Sequence, residues 1–182
     1  MRLRRFGILV GVVSALGIVL WWHARPGHRP TPPRGWEVVD RVADGDTIVL
    51  GGGATVRLVQ IDTPEVYFRT ECFGETASAE TKGLLHRGTL VRLARDPATS
   101  SRDTYGRLLR YVIRRDGLNV NLRLVADGAA APYFFEGTRG RFAAALMREA
   151  TAARAAGKGL WGRCPATRLD PTEGVSTGAP EH

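Results

Sequence analysis

The sequence lacks the motifs that several enzyme classes need. Its four histidines include no pair at zinc-ligand spacing within the central part of the chain, and neither of its two cysteines belongs to a Cys-x-x-Cys motif. No Gly-x-Ser-x-Gly motif occurs, and the run Gly51–Gly53 lacks the Gly-Lys-Ser/Thr ending of a phosphate-binding loop. These absences argue against zinc, thiol-redox, serine-hydrolase and nucleotide-binding chemistry, and they leave the glycine run as a tight turn.

Lysine is also scarce. Lys82 and Lys158 are the only lysines among 26 basic residues, so arginine supplies most of the formal net charge of +8. Arginine suits phosphate because one guanidinium can donate two hydrogen bonds to the same group. A polyanionic partner is therefore one interpretation, and a basic composition without functional meaning is the other.

The N-terminal segment has the pattern of an exported or membrane-anchored protein. Three arginines within the first five residues precede an uncharged apolar run from Phe6 to Trp22. That run is about as short as a spanning helix can be, yet longer than most cleavable signal cores. We predict a signal anchor over residues 1–24 that holds the protein at the membrane, outside the cytoplasm. A cleaved signal peptide, which would lead to secretion, is the alternative.

Three further parts follow this segment. Residues 25–35 are rich in proline and predict a linker, because proline disrupts the interior of helices and sheets. Residues 36–164 form the predicted folded domain, for which we expect a monomer. Residues 165–182 show no apolar periodicity, so a disordered tail is predicted.

Strand patterns come first in the domain and helical patterns come later. Apolar runs and turn residues indicate strands, and a 3.6-residue period indicates helices, the last of which places Phe142, Leu146 and Ala150 on one stripe. The predicted strands are 36–43, 47–50, 54–61, 89–96 and 107–115, and the predicted helices are 74–87, 118–128 and 139–157. This order predicts an α+β fold, mainly β: a five-stranded Greek-key barrel of the OB type, capped by three helices.

Carboxylates and arginines recur in three separate segments. They are Val42–Leu50 (VADGDTIVL), Val56–Glu65 (VRLVQIDTPE) and Asp103–Val112 (DTYGRLLRYV). Each taken alone has a plain explanation as a turn, a strand end or a loop end. Arg57 is harder to explain, because a charge inside an apolar run costs several kcal/mol unless a partner compensates it.

Taken together, the three segments resemble the ordered signature of the staphylococcal nuclease (thermonuclease) family. That signature is Asp-Gly-Asp-Thr, then an arginine five residues before Asp-Thr-Pro-Glu, then Tyr-Gly-Arg. The resemblance continues through FGETASAETK, LVADGAA and GKGLW, and so covers Trp36 to Trp161. It implies an OB-type barrel, Ca²⁺ as cofactor, and hydrolysis of phosphodiester bonds in DNA and RNA with 3′-phosphate products.

The resemblance also implies a role for each matching residue. Calcium would take side-chain oxygens from two aspartates and a backbone carbonyl from a threonine. A glutamate would orient or deprotonate the attacking water, and two arginines would bind the phosphate and offset its transition-state charge. The two aspartates are Asp46 and Asp62, and the threonine is Thr63. The glutamate is Glu65, and the two arginines are Arg57 and Arg107.

This assignment requires a local break in strand geometry. Side chains alternate between the two faces of a strand, so the odd separation of Arg57 and Asp62 would place them on opposite faces. A bulge or a sharp strand end near Gln60 to Asp62 must therefore turn one of them toward the other.

Two further features of the sequence bear on the site. Three aromatic residues, Tyr133, Phe134 and Phe135, follow the second predicted helix and can stack on a base, with Tyr133 and Phe134 as the named candidates, although an aromatic cluster is more often part of a core. The segment between Glu65 and Gly74 is shorter than in the staphylococcal enzyme, which reduces the loop expected there.

Cys72 and Cys164 are predicted to form a disulfide. They are the only cysteines, one beside the expected active-site loop and the other just after the last helical segment. An exported domain would oxidise them, whereas a cytosolic protein would keep them reduced. Two unrelated free thiols are the alternative.

Other functions remain open from the sequence. A non-catalytic OB-type module would bind nucleic acid without cutting it, and its usual mark would be a lost metal ligand or glutamate. A membrane-tethered interaction module with a structural calcium site would leave Arg57 and Arg107 without a role. The intact signature favours an extracytoplasmic, calcium-dependent nuclease.

Overall fold

Five strands close into a barrel at the centre of the fold. The structure is a computed structural model and describes residues 31–67 and 69–179. Within these residues the strands are β1 (Glu37–Val42), β2 (Thr47–Leu50), β3 (Thr55–Leu58), β4 (Ile61–Asp62), β5 (Leu90–Ala94), β6 (Leu108–Arg114), β7 (Ala131–Pro132), β8 (Arg168–Asp170) and β9 (Gly174–Ser176). The barrel order is β1-β2-β3-β6-β5, and only β3 and β6 pair in parallel among these described barrel strands.

Helices pack against this barrel. They are α1 (Gly74–Leu84), α2 (Val120–Asp127), α3 (Ala143–Ala155) and the single turn α4 (Leu160–Arg163). The predicted α+β fold with a five-stranded barrel and three longer helices is thereby confirmed. Periodicity did not reveal α4, because one helical turn is too short to show a period.

The core fills the barrel and continues beneath the helices. Ile48, Val56 and Val112 from the strands are fully buried together with Leu124 and Leu146 from the helices. Each such burial stabilises the fold by about 1.5–3 kcal/mol relative to an exposed side chain. The core therefore holds the barrel and helices in one arrangement, which fixes the loops between them.

The predicted strand over residues 54–61 is broken in the structure. β3 ends at Leu58, Gln60 takes a left-handed conformation with φ of 64°, and β4 begins at Ile61 and pairs with β7. A positive φ is uncommon outside glycine and turns the chain sharply. This break confirms the predicted change of direction before Asp62.

The C-terminal segment is ordered, which corrects the prediction of a disordered tail over residues 165–182. Residues 168–176 form the hairpin β8–β9, and Val175 packs with Ala131, Leu160 and Cys164 in a small apolar cluster. The strands are only three residues long, so their stability comes from these tertiary contacts rather than from a sequence pattern. The last three residues lie outside the described part of the chain.

A disulfide joins Cys72 to Cys164, as the sequence analysis expects. Their Cα atoms lie 5.9 Å apart, within the normal range for a disulfide. The bond links the segment before α1 to the residue after α4.

The predicted signal anchor over residues 1–24 and most of the predicted linker lie outside the described residues. None of the helices in the described part of the chain is long and apolar enough to cross a membrane. The described residues from Pro32 onward belong to one folded unit.

Candidate active site

Asp46 lies in the loop between β1 and β2, against the chain that follows β4. Its side chain is buried, and its Oδ2 accepts hydrogen bonds from the backbone N–H and the hydroxyl of Thr63, both at 3.3 Å. Gly45 allows this approach, because a Cβ there would lie 2.5 Å from Thr63 Oγ1. The hydroxyl of Thr81 on α1 donates to the Gly45 carbonyl at 2.6 Å. The loop is thus held from two sides.

Arg57 lies between the two aspartates predicted to bind metal. Its Nη1 forms an ion pair with Asp46 Oδ2, and its Nη2 donates to Asp62 Oδ1 at 2.9 Å. Although burial alone would lower the pKa of Arg57, the charges of Asp46 and Asp62 raise it. The partly buried arginine is therefore compensated, which explains how a charge is tolerated in this strand.

The C-terminal hairpin holds the second oxygen of Asp62. The backbone N–H of Val175 donates to Asp62 Oδ2 at 3.0 Å. Burial and the charge of Asp46 raise the pKa of Asp62, whereas Arg57 and the Val175 N–H oppose that rise. Sequence reasoning missed this contact because it joins residues 113 positions apart.

Glu65 is exposed at the mouth of the site, three residues after the end of β4. Its backbone N–H donates to Glu71 Oε2 at 3.1 Å, and the Glu71 N–H donates to the Glu65 carbonyl at 2.9 Å. Partial burial and the charges of Asp46, Asp62 and Asp44 raise the pKa of Glu65. A carboxylate whose pKa moves toward neutrality is better suited to accept a proton.

Arg107 enters the site from the loop that precedes β6. Its backbone N–H and its Nε donate to the two oxygens of Asp103, at 2.9 and 2.7 Å. Its guanidinium carbon also lies 5.4 Å from the centre of the exposed Tyr105 ring. These contacts orient Arg107 and leave its Nη groups on the site side, where Nη1 lies 3.5 Å from Thr47 Oγ1.

These residues meet in one open cleft of about 560 Å³. Five of the six residues predicted to act in catalysis or metal binding line this cleft. The sixth, Asp62, does not line the cleft but contacts Arg57, which does. The five are Asp46, Arg57, Thr63, Glu65 and Arg107. Asp44 and Tyr105 also line the cleft, and the sequence analysis assigned neither a role.

The cleft has a local excess of negative charge. Burial, followed by the charge of Asp46, raises the pKa of Asp44 to about 6, and the pKa values of Asp62 and Glu65 are raised as well. Neighbouring carboxylates disfavour each other's ionised forms, so a cation bound here would relieve them.

The oxygen donors fit a hard cation by their chemistry. Two carboxylates and the Thr63 backbone carbonyl are the ligand types that calcium accepts. Within the described residues no three His, Cys, Asp or Glu side chains form a metal cluster, and Arg57 holds both Asp46 and Asp62.

A second groove of about 440 Å³ continues from the cleft, since Arg57, Tyr105 and Arg107 line both. Tyr133 and Phe135 line this groove, with ring centres 6.5 Å apart. The stacking prediction is wrong for Phe134, which is only 1% exposed and packs in the core. Phe135 begins a single 3-10 turn, Phe135–Gly137, and its side chain is 65% exposed, so Phe135 takes the exposed position instead.

The barrel and its cleft define a class of protein: a small OB-like domain with carboxylates and arginines gathered in one surface site. The family model described as "Staphylococcal nuclease homologue" matches residues 55–163, more than half of the chain. The chain belongs to this family. Five of the six predicted catalytic and metal residues lie inside the matched segment, and Asp46 precedes it.

Individual relatives are named as endonucleases. The chain is 36% identical over 154 residues to Endonuclease YhcR of Bacillus subtilis (strain 168), and 35% identical over 105 residues to the Thermonuclease of Staphylococcus intermedius. It is 37% identical over 98 residues to an uncharacterized endonuclease of Escherichia coli O157:H7. These matches cover 73%, 54% and 52% of this chain, but 12%, 60% and 59% of the relatives. The chain thus spans less than two thirds of each relative's length.

Proposed function

We propose that this domain is a nuclease that hydrolyses phosphodiester bonds of nucleic acid in the cleft. The observation that carries the proposal is the meeting of Glu65, Arg57 and Arg107 along one open cleft. A base and two arginines that line the same cleft are what an attack of water on a phosphate diester requires. Membership of the family and the names of the relatives support the same reaction.

The proposed reaction assigns one step to each group. Glu65 accepts a proton from a water molecule, and the oxygen of that water forms a new bond to phosphorus. The bond from phosphorus to the 5′-oxygen breaks, and that oxygen takes up a proton from solvent water, which gives a 5′-hydroxyl and a 3′-phosphate. Arg57 and Arg107 donate hydrogen bonds to the phosphate oxygens, where negative charge grows in the transition state.

We propose calcium as the cofactor, held by Asp46, Asp62 and the Thr63 carbonyl. The hard oxygen donors of these residues, and the further carboxylates of Asp44, Glu65 and Glu71 that line the cleft beside them, support a cation at this place. When bound, the ion supplies positive charge that stabilises the phosphate during the reaction.

Both DNA and RNA are proposed substrates. Tyr133, with Phe135 in the place first given to Phe134, offers an aromatic surface on which a base of either type can stack. The net charge of +3 over residues 31–182 favours approach of a polyanion.

We propose that the domain acts outside the cytoplasm, tethered by residues 1–24. The Cys72–Cys164 disulfide supports this location, because cytosolic thiols are kept reduced. Protease added to spheroplasts is expected to remove the domain and leave the anchor. Protection of the domain would place it on the cytoplasmic side.

One assay tests the reaction. The protein is incubated with DNA and with RNA, first with calcium and then with a chelator, and the product ends are identified. We expect cleavage only with calcium, leaving 3′-phosphates. Binding without cleavage would favour the non-catalytic nucleic-acid-binding alternative.

A further inference from the structure

The C-terminal hairpin β8–β9 contacts the active-site carboxylates, although it lies beyond the segment that the family model matches. We propose that this hairpin is a positioning element of the active site. It fixes the Asp62 carboxylate and the loop that bears Glu65, and so sets both calcium affinity and the rate of hydrolysis. The inference rests on the proposed nuclease function.

The first contact fixes Asp62. Arg57 Nη2 donates a hydrogen bond to Oδ1 of this carboxylate at 2.9 Å, and the backbone N–H of Val175 donates to Oδ2 at 3.0 Å. The carboxylate therefore cannot rotate freely. The neighbouring Gly174 has φ of 107°, and a Cβ built there would lie 2.6 Å from Asp62 Oδ2. The close approach of hairpin and carboxylate therefore requires glycine at this position.

The second contact reaches Glu65 through Glu71. Ser176 Oγ on β9 donates to Glu71 Oε1 at 3.2 Å, while the backbone N–H of Glu65 donates to Glu71 Oε2 at 3.1 Å. One carboxylate thus connects the hairpin to the backbone of the proposed general base. Glu71 positions Glu65 in this arrangement and does not itself take part in the reaction.

The hairpin is docked firmly enough to serve as a support. Thr177 Oγ1 donates to the Cys72 carbonyl at 2.6 Å, and the Cys72 N–H donates to the Gly178 carbonyl at 2.9 Å. Cys72 is in turn bonded to Cys164. Removal of a group that orients a metal ligand in this way usually lowers metal affinity or activity by about 10–100-fold.

Gly174→Ala tests the first contact, with Gly117→Ala as its matched control. Both glycines have a positive φ, but a Cβ at Gly117 meets nothing within 4 Å. Calcium affinity is measured by titration calorimetry on the whole protein, together with kcat, KM and the melting temperature. We expect Gly174→Ala to weaken calcium binding about 10-fold and to lower kcat more than it changes KM. Gly117→Ala should lower only the melting temperature.

Glu71→Ala and Glu71→Gln test the second contact independently of how well the first variant folds. Glutamine keeps an acceptor for the Glu65 N–H and a donor toward Ser176, whereas alanine removes both. We expect Glu71→Ala to lower kcat about 10-fold and Glu71→Gln to restore most of it. Equal losses in both variants would mean that the charge matters rather than the position, and would overturn this contact's role.

The outcomes separate this inference from the proposed function. A wild-type protein that neither cleaves nucleic acid nor binds calcium would overturn both. An active wild type whose Gly174→Ala variant keeps full calcium affinity and kcat would overturn the hairpin's role and leave the nuclease assignment intact.

Discussion

At the scale of single residues, Arg57 has both a structural and a proposed catalytic role. It neutralises the buried carboxylate of Asp46 and the partly buried carboxylate of Asp62, and removing it would leave these two groups facing each other. Arg107 differs, because its partner Asp103 lies beside it on one partly exposed loop. The two arginines therefore share a proposed task in the reaction but differ in what they contribute to the fold.

This difference gives a prediction. Arg57→Ala and Arg107→Ala should each remove about 3–4 kcal/mol of transition-state stabilisation, measured from kcat/KM. Only Arg57→Ala should also lower the free energy of unfolding substantially, by up to about 3–5 kcal/mol, because it breaks a buried pair. Urea denaturation measures this second quantity. Equal stability of the two variants would contradict the structural role of Arg57.

Glu65 gives a purely catalytic prediction. Its side chain is exposed and its charge is repelled by Asp46, Asp62 and Asp44, so Glu65→Gln should not destabilise the fold while kcat falls by roughly 10²–10⁴-fold, the usual contribution of a positioned base. Glu75→Gln, also exposed but on α1, is the matched control and should keep full kcat. A fully active Glu65→Gln protein would rule out its role as the base.

Asp96 gives a prediction about pH. Although burial opposes it, the N–H groups of Ala98 and Arg141 and the Tyr111 hydroxyl lower the pKa of Asp96. A lowered folded-state pKa stabilises the fold above the unfolded value of about 3.9, and that stabilisation is lost as the pH falls through the folded value. Asp96→Asn should therefore be less stable than wild type at pH 7, by an amount that shrinks below about pH 4. Urea denaturation at several pH values checks this; a constant deficit would contradict it.

At the scale of secondary-structure elements, those with a long sequence pattern were predicted well, and the shortest ones were not. β2 has the predicted bounds, and the predicted helices lie within a few residues of α1, α2 and α3. The hairpin β8–β9 was not predictable, since three-residue strands have too short a pattern and this pair depends on contacts with distant residues such as Asp62.

The candidate site shows the same division. The sequence motifs identified the residues, and the odd spacing of Arg57 and Asp62 predicted the break that occurs at Gln60. The hydrogen bond from Val175 to Asp62 and the burial of Phe134 follow from the folded backbone, and no local pattern carries that information.

The packing of α1 against the Glu65 loop gives a prediction at this scale. A Cβ at Gly74 would lie 2.5 Å from the Glu65 carbonyl oxygen, so Gly74→Ala should shift this loop, lower kcat and destabilise the fold by about 1–3 kcal/mol. Gly83 lies on the same helix with nothing within 4 Å of a Cβ. Gly83→Ala should instead stabilise by about 0.5–1 kcal/mol and leave kcat unchanged. If both variants behaved alike, the contact at Gly74 would not matter.

At the scale of the whole molecule, two charge distributions oppose each other. Residues 31–182 carry a net charge of +3, whereas the cleft collects carboxylates with raised pKa values. The overall charge attracts a polyanion over long range, but the cleft alone would repel a phosphate. A bound cation would offset the carboxylates of the cleft, which supports the proposed calcium dependence.

The Cys72–Cys164 disulfide gives the last prediction, because the chain segment that it closes makes up most of the folded domain. It closes a loop of 92 residues, and the chain-entropy account gives a stabilisation of about 4–5 kcal/mol for a loop of this length. Reductant should therefore lower the urea midpoint of the wild type and leave a Cys72→Ser/Cys164→Ser variant unaffected. Reduction should also weaken calcium binding, since Cys72 anchors the segment that docks the C-terminal hairpin. A reduced protein with unchanged stability would show that the bond is dispensable, and lost stability with full calcium affinity would show that the hairpin docks without it.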